Sequence, residues 1–449
     1  MDKKQLIEAQ IRDAYERGCF TGTWLYAEQG EIISKGAVGY RDPEDKLPIR
    51  EDSIFNIASV SKQFTASAVM LLRRRGLLAL DDEITKFFPQ LPLPDVTVRH
   101  LLSHTSGLPL YEEWTTKTAL REHTIPDNDV ILRFLCESGE PAEFTPGEKF
   151  SYCNTGFSLL AEIVEKVSGV PFEDFLAQEI FQPAGMSATL LCHPRKEGIT
   201  LKNLAQALVL ENGRYVLADG AAAHEYDVPL DGVHGKGNVR SNILDLFRWD
   251  RVLREGSLLT REEQAIMYMP FRLNNGSYSQ YGFGWYTHND PALGLHVYHS
   301  GSWTSYCSWY ERFLDADRVM IYLRSREPME RHGFERFSEN MKAIAGDQAT
   351  TPVRTIEELT IRESDKSGWE ALCGKYSHPE SEWFFIDEIT MKDGALYAHV
   401  FWRYIFHRCF DQLRLYPIGE NQFAFKEWGG VLTFDSGVLS FQGESYRKL

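Results

Sequence analysis

The chain has 449 residues, of which 43% are hydrophobic and 13% aromatic, and its formal net charge is −16. That length exceeds what one hydrophobic core usually holds, so two domains are expected. The acidic balance, with no long block of one sign, argues against a nucleic-acid partner, whose phosphates it would repel.

Residues 4–17 read as a helix, with Leu6, Ile7, Ile11 and Ala14 on one side. Met1 to Leu6 runs into this charged segment without an apolar core of signal-peptide length. No stretch is long enough to span a bilayer, so a cytoplasmic location is the expectation. Two strands follow, Thr21 to Ala27 and Glu31 to Val38, joined by a turn containing Gly30.

Next comes Ile57-Ala58-Ser59-Val60-Ser61-Lys62-Gln63-Phe64. Val60, Phe64, Ala68, Leu71 and Leu72 recur at helical spacing, and Gly76 follows a basic last turn, Arg73 to Arg75. Ser59 is therefore expected at a helix start, where free N–H groups favour developing negative charge. Lys62 falls one turn later on the same face. A serine is a poor nucleophile until a base takes its proton, and a partly buried lysine can do so.

A short helix is expected over Val98 to Ser103, capped by Thr97. His100 and His104 are four apart, but no third ligand of fitting type stands near, so they read as structural. Ser106 reads the same way, positioning the loop at Gly107. Residues 124–139 contain a helix starting after Pro126. Thr145-Pro146-Gly147-Glu148 reads as a turn delivering Tyr152-Cys153-Asn154, ahead of a helix stopped by Gly169. Pro171 opens another helix through Phe181, and residues 186–230 read as irregular. Gly235-Lys236-Gly237-Asn238 lacks the spacing of a phosphate loop. A helix follows from about Ile243 to Arg254.

From Tyr281 the pattern changes to strands: Gly282 to Thr287, Gly294 to His299, Tyr306 to Leu314 and Arg318 to Leu323. Residues 331–346 look helical. From Gly368 short strands alternate with turns, and Trp383, Tyr397, Phe423, Phe425, Trp428 and Phe434 are among the aromatics available for a core. Their even spacing predicts a small antiparallel barrel. The expected domains are 1–350, a charged linker 351–367, and 368–449. The seven cysteines are scattered without any C-x-x-C, so no zinc site or disulfide framework is expected.

Three stretches combine into one chemistry: Ser59 to Lys62, Tyr152 to Asn154, and His299-Ser300-Gly301-Ser302. Acyl transfer needs a nucleophile, a proton shuttle and donors for an oxyanion. Ser59 supplies the first. Lys62 and Tyr152 can share the proton, because a phenol beside an ammonium has a lowered pKa. Asn154 can hold Lys62 and a substrate carbonyl. Backbone N–H groups of Ser59 and Ser302 can form the oxyanion hole, with Gly301 allowing close approach.

With these motifs in order, the chain resembles the serine β-lactamase and penicillin-binding-protein superfamily. The branch is that of class C β-lactamases, family VIII esterases, D-aminopeptidases and serine DD-peptidases. Phe55 to Lys62, His100 to Pro109, Thr145 to Gly156, Phe181 to Met186 and Tyr281 to Trp285 also fall in family order, so the resemblance covers about residues 5–346. It implies an α+β fold: a five-stranded antiparallel sheet flanked by helices, beside a helical subdomain. The tail resembles an appended lipocalin-like β-domain. The resemblance assigns catalysis to Ser59, Lys62 and Tyr152, and substrate binding to Asn154, His299, Ser300, Gly301 and Ser302. It implies no metal and no cofactor.

The third motif departs from the Lys-Thr-Gly usual in lactamases. His299 is largely neutral at pH 7 and offers no fixed charge to a substrate carboxylate. The expected activity is hydrolysis of small esters, or of amides and peptides of D-amino acids, through an acyl-enzyme. A penicillin-binding or β-lactam-hydrolysing protein, or a non-catalytic ligand-sensing module on the same fold, are the alternatives.

Overall fold

The computed structural model describes residues 2–211, 214–220, 228–329, 331–360, 368–377, 384–402, 408–425, 431–435, 437–441 and 444–449. The fold is α+β, in two compact units: Thr21–Glu327, and Met1–Phe20 with Pro328–Leu449.

In the first unit a six-stranded antiparallel sheet forms the frame. Its strands, in spatial order, are Glu31–Val38, Gly22–Glu28, Arg318–Arg324, Tyr306–Phe313, Gly294–Trp303 and Tyr286–Asp290. The second and third lie centrally and read as continuous apolar runs, as strands covered on both faces should. The family resemblance implied five strands. The sixth is the edge strand Tyr286–Asp290, which pairs with Gly294–Trp303 from Tyr286↔Tyr298 to Asp290↔Gly294. The Asp290 carboxylate makes this hairpin by accepting from the N–H groups of Ala292 and Leu293. The strand expected at Gly282 begins four residues later. Gly282 and Gly284 are consumed in a turn pressed against other backbone: a side chain at Gly284 would come within 2.9 Å of the Lys62 carbonyl.

Helix Lys62–Arg74 is buried on nearly every face, packing against helix Asn154–Ser168. Phe64 touches Phe181 and Trp249, the latter on helix Ile243–Glu255. Two helices of eight residues or more were not legible in the sequence, Glu112–Glu122 and Arg261–Tyr268. The helix expected over 124–139 is confined to Val130–Glu137. Within 186–230, two short strands pair, Leu208–Glu211 with Arg214–Leu217; residues 221–227 lie outside the described residues.

In the second unit helix Lys3–Glu16 carries a capping box at Asp2 and Gln5 and packs on helix Arg331–Ala345. Eight strands from Gly374 to Arg447 then form an antiparallel meander, each paired with the next. The N–H of Leu449 donates to the Lys375 carbonyl (2.9 Å) and that of Ser377 to the Arg447 carbonyl (2.7 Å), so the two ends meet as a small barrel. Phe423, Phe425 and Phe434 lie in its core with Trp369, Leu396 and Tyr446. Trp383 and Trp428 lie outside the described residues, as does linker segment 361–367.

No helix among the described residues is long and apolar enough to cross a membrane. The six cysteines whose side chains are described, all but Cys409, are free thiols.

Candidate active site

Ser59 lies in a single 3₁₀ turn, Ala58–Ser61, that runs directly into helix Lys62–Arg74. The turn begins under strain: Ala58 has φ +47°, and its N–H is held by the Asn56 carboxamide oxygen at 2.9 Å. Ser59 itself stays half-exposed while both its neighbours are buried.

Lys62 is fully buried. Its Nζ donates to Asn154 Oδ1 (2.8 Å) and to the Lys236 carbonyl (2.7 Å), and lies 3.1 Å from Ser59 Oγ. Burial pushes the amine well below the usual lysine range, and the Lys236 charge pushes it further. The Tyr152 hydroxyl is hydrogen-bonded to Ser59, and Lys62 Nζ sits 4.7 Å from the Tyr152 ring centre. Burial drives the Tyr152 phenol well up, and the Ser59 bond offsets only part of that. This reverses the sequence expectation of a lowered phenol. Desolvation of the buried phenol is the largest cause, and the charges of neighbouring groups add to it.

Strand Gly294–Trp303 runs beside the nucleophile turn. A side chain at Gly301 would stand 2.9 Å from Ser59 N, and closer still to the Ile57 carbonyl and Ser308 Oγ, so only glycine permits this approach. Ser302 is exposed and Ser300 half-buried. His299 is 1% exposed, with Nδ1 2.6 Å from the Ser300 carbonyl and Nε2 2.9 Å from the Tyr281 hydroxyl. A carbonyl only accepts, so Nδ1 carries the proton and Nε2 accepts from Tyr281. Burial, with Lys62 nearby, pushes His299 down to about 3. It therefore presents neither a positive charge nor a free N–H to a substrate.

His100 and His104 are structural. His100 Nδ1 accepts from the Thr97 N–H, completing a capping box on helix Val98–Leu102. His104 Nδ1 accepts from the Cys153 N–H (3.0 Å), and its ring lies 4.1 Å from that of Tyr152, fixing the Tyr-Cys-Asn turn. Cys153 is packed against the Leu108 carbonyl, and burial raises its thiol to about 12.

Two charged residues were not singled out from the sequence. Glu112 accepts from Asn154 Nδ2 (2.8 Å) on a carboxylate that is 4% exposed and raised by burial. Lys236 is also 4% exposed, with its ammonium 3.7 Å over the Trp303 ring. Of its flanking glycines, which lack phosphate-loop spacing, Gly235 serves packing: a side chain there would collide with residues 157–161 of helix Asn154–Ser168. No residue pattern marks Glu112 at all.

Strand-supported backbone donors beside a serine, with a buried lysine and tyrosine at hand, define a serine hydrolase of the acyl-transfer type. The family described as Beta-lactamase matches residues 6–341, and the chain belongs to it. The chain is 37% identical over 438 residues to penicillin-binding protein 4* of Bacillus subtilis (strain 168), covering 97% of this chain and 94% of that protein. It is 33% identical over 189 residues to esterase EstB of Burkholderia gladioli, covering 38% and 47% of the two. The octameric penicillin-binding protein homologue from Pyrococcus abyssi has the same fold, with TM-score 0.66, 23% identity, and coverage of 99% and 100%.

Proposed function

We propose that the enzyme hydrolyses small esters, or amides and peptides of D-amino acids, through an acyl-enzyme on Ser59. The carrying observation is the set of contacts at Lys62 Nζ. A neutral amine has two N–H bonds and one lone pair. Two fixed acceptors, Asn154 Oδ1 and the Lys236 carbonyl, take the two N–H bonds at 2.8 and 2.7 Å. The lone pair is left facing Ser59 Oγ at 3.1 Å, where it can take the hydroxyl proton.

Ser59 Oγ then attacks the substrate carbonyl carbon, and the oxyanion is held by the N–H groups of Ser59 and Ser302. Tyr152, bonded to Ser59, donates its proton to the leaving alkoxide or amine and is reprotonated from Lys62. Water enters by the reverse route and releases the acid. Asn154 keeps Lys62 aimed, and Gly301 keeps strand and turn close enough for both oxyanion donors to converge. His299 serves as a packed, neutral wall of the site.

A second substrate class is favoured by Lys236. It supplies the buried cation that His299 lacks, which suits a carboxylate-bearing substrate such as a peptide terminus or a β-lactam. The kinship with a penicillin-binding protein agrees with acylation by such compounds. A cytosolic location stays part of this proposal; the free thiols agree with a reducing compartment, and cell fractionation tests it.

The test is covalent labelling. A fluorophosphonate or a penicillin should add one label, mapped to the peptide containing Ser59, and Ser59→Ala should take none. Labelling of the alanine variant at another serine would overturn the assignment.

A further inference from the structure

Beside the loop that holds Lys62 stands a cluster the reaction does not use. His234 is 7% exposed, and its ring stacks on Phe172 at 5.4 Å. Its Nδ1 lies 3.3 Å from His193 Nε2, and His193 Nδ1 lies 2.6 Å from the Asp231 carbonyl. The proton positions follow from this chain. The Asp231 carbonyl can only accept, so His193 carries its proton on Nδ1 and offers a lone pair at Nε2. His234 must then donate from Nδ1. A neutral imidazole that donates from Nδ1 has its lone pair at Nε2.

That Nε2 is buried and has no hydrogen-bond partner among the described residues. A ring nitrogen of His234 and one carboxylate oxygen each from Glu165 and Glu173 lie within 4.8 Å of one another. Since Nδ1 is committed to His193, the available nitrogen is Nε2. Glu165 has one oxygen tied to the Phe172 N–H at 2.7 Å, leaving its second free. One imidazole and two carboxylates thus converge.

We propose that His234, Glu165 and Glu173 form a binding site for a divalent transition-metal ion of the zinc class. One imidazole nitrogen with two carboxylate oxygens suits Zn²⁺ or Mn²⁺, whereas Ca²⁺ takes six to eight oxygens. The second contact of each ligand is already fixed: His193 orients the ring and the Phe172 N–H orients Glu165, as outer hydrogen bonds do at metal centres. Exposed Glu173 gives the ion a route in from solvent.

The placement gives the ion a positioning role. Glu165 belongs to helix Asn154–Ser168, whose first residue accepts from Lys62. His234 precedes Gly235 and Lys236, whose carbonyls accept from Thr65 and Lys62. One ion would therefore join the two segments that hold the amine.

The full-length protein, stripped with a chelator and titrated with Zn²⁺, tests this by ions bound per chain and by thermal melting. A single Co²⁺ in place of Zn²⁺ should add a visible absorption band. Wild type should bind one ion per chain with a raised melting temperature. Glu173→Gln, at an exposed position outside the catalytic machinery, and His234→Gln should each weaken binding by about 10–100-fold. Wild type that binds no ion, or binding that both variants leave unchanged, would overturn the proposal.

Discussion

Replacing Lys236 by methionine removes one charge from the candidate site while keeping a stem of similar volume against Trp303. The ammonium is 4% exposed, so solvent and salt screen it little. A charge-assisted hydrogen bond to a substrate carboxylate is worth about 1.5–3 kcal/mol. At about 1.4 kcal/mol per decade, its loss costs about 10–100-fold in kcat/KM. An ester without a carboxylate loses none of this. The substitution also acts on the base. Lys236 helps depress Lys62, so removing it lets the Lys62 pKa rise. The reactive form is the neutral amine, so activity grows as pH rises through that pKa, and the acidic limb of the pH profile should move upward for every substrate. The assay is kcat/KM for p-nitrophenyl butyrate and for a chromogenic cephalosporin, in wild type and Lys236→Met, across the pH range. Above the limb, the cephalosporin should lose about 10–100-fold and the butyrate less than about threefold. Equal losses for both substrates, with the limb unmoved, would refute the reasoning.

Lys62→Met and Tyr152→Phe should each lower kcat by several orders of magnitude and the double variant by little more, because groups acting on one proton are non-additive; multiplicative losses would separate their roles. Gly301→Ala forces a methyl into the nucleophile turn. Overpacking of this kind costs about 1–3 kcal/mol, read as a melting shift of about 2–4 °C per kcal/mol, and the variant should lose acylation even where it stays folded. A chain ended near residue 364 should remain soluble and keep the Ser59 label, since the barrel's core residues, Trp369 to Tyr446, come from its own segment; aggregation of that chain would place the domain boundary elsewhere.

Local rules carried the nucleophile region well. The helix after Ser59 ends at Arg74 before Gly76, as the apolar spacing and basic last turn required. The three motifs place Lys62 and Asn154 in direct contact across 92 residues, and bring Gly301 against the Ser59 turn. What stayed hidden was burial. The phenol of Tyr152 moves opposite to the expected direction because desolvation depends on packing from distant segments. Lys236 and Glu112 were missed because a buried charge has the same letter as a solvated one. Helix Glu112–Glu122 escaped for a related reason: its buried face is made largely of threonines and a glutamate, which no apolar period reveals.

Ala58 is the one non-glycine in the nucleophile turn held at positive φ. A left-handed alanine costs about 1–2 kcal/mol in the folded state. Glycine would relieve that strain, yet it would add about 0.4–1 kcal/mol of freedom to the unfolded chain. The second offsets only part of the first, so a selection for heat resistance would gain on the order of 1 kcal/mol here. The methyl group matters in another way: it narrows the conformations open to the peptide leading into Ser59 before any substrate arrives. A glycine at this position would raise the melting temperature slightly and blur the aim of the attacking oxygen, a loss visible only in turnover.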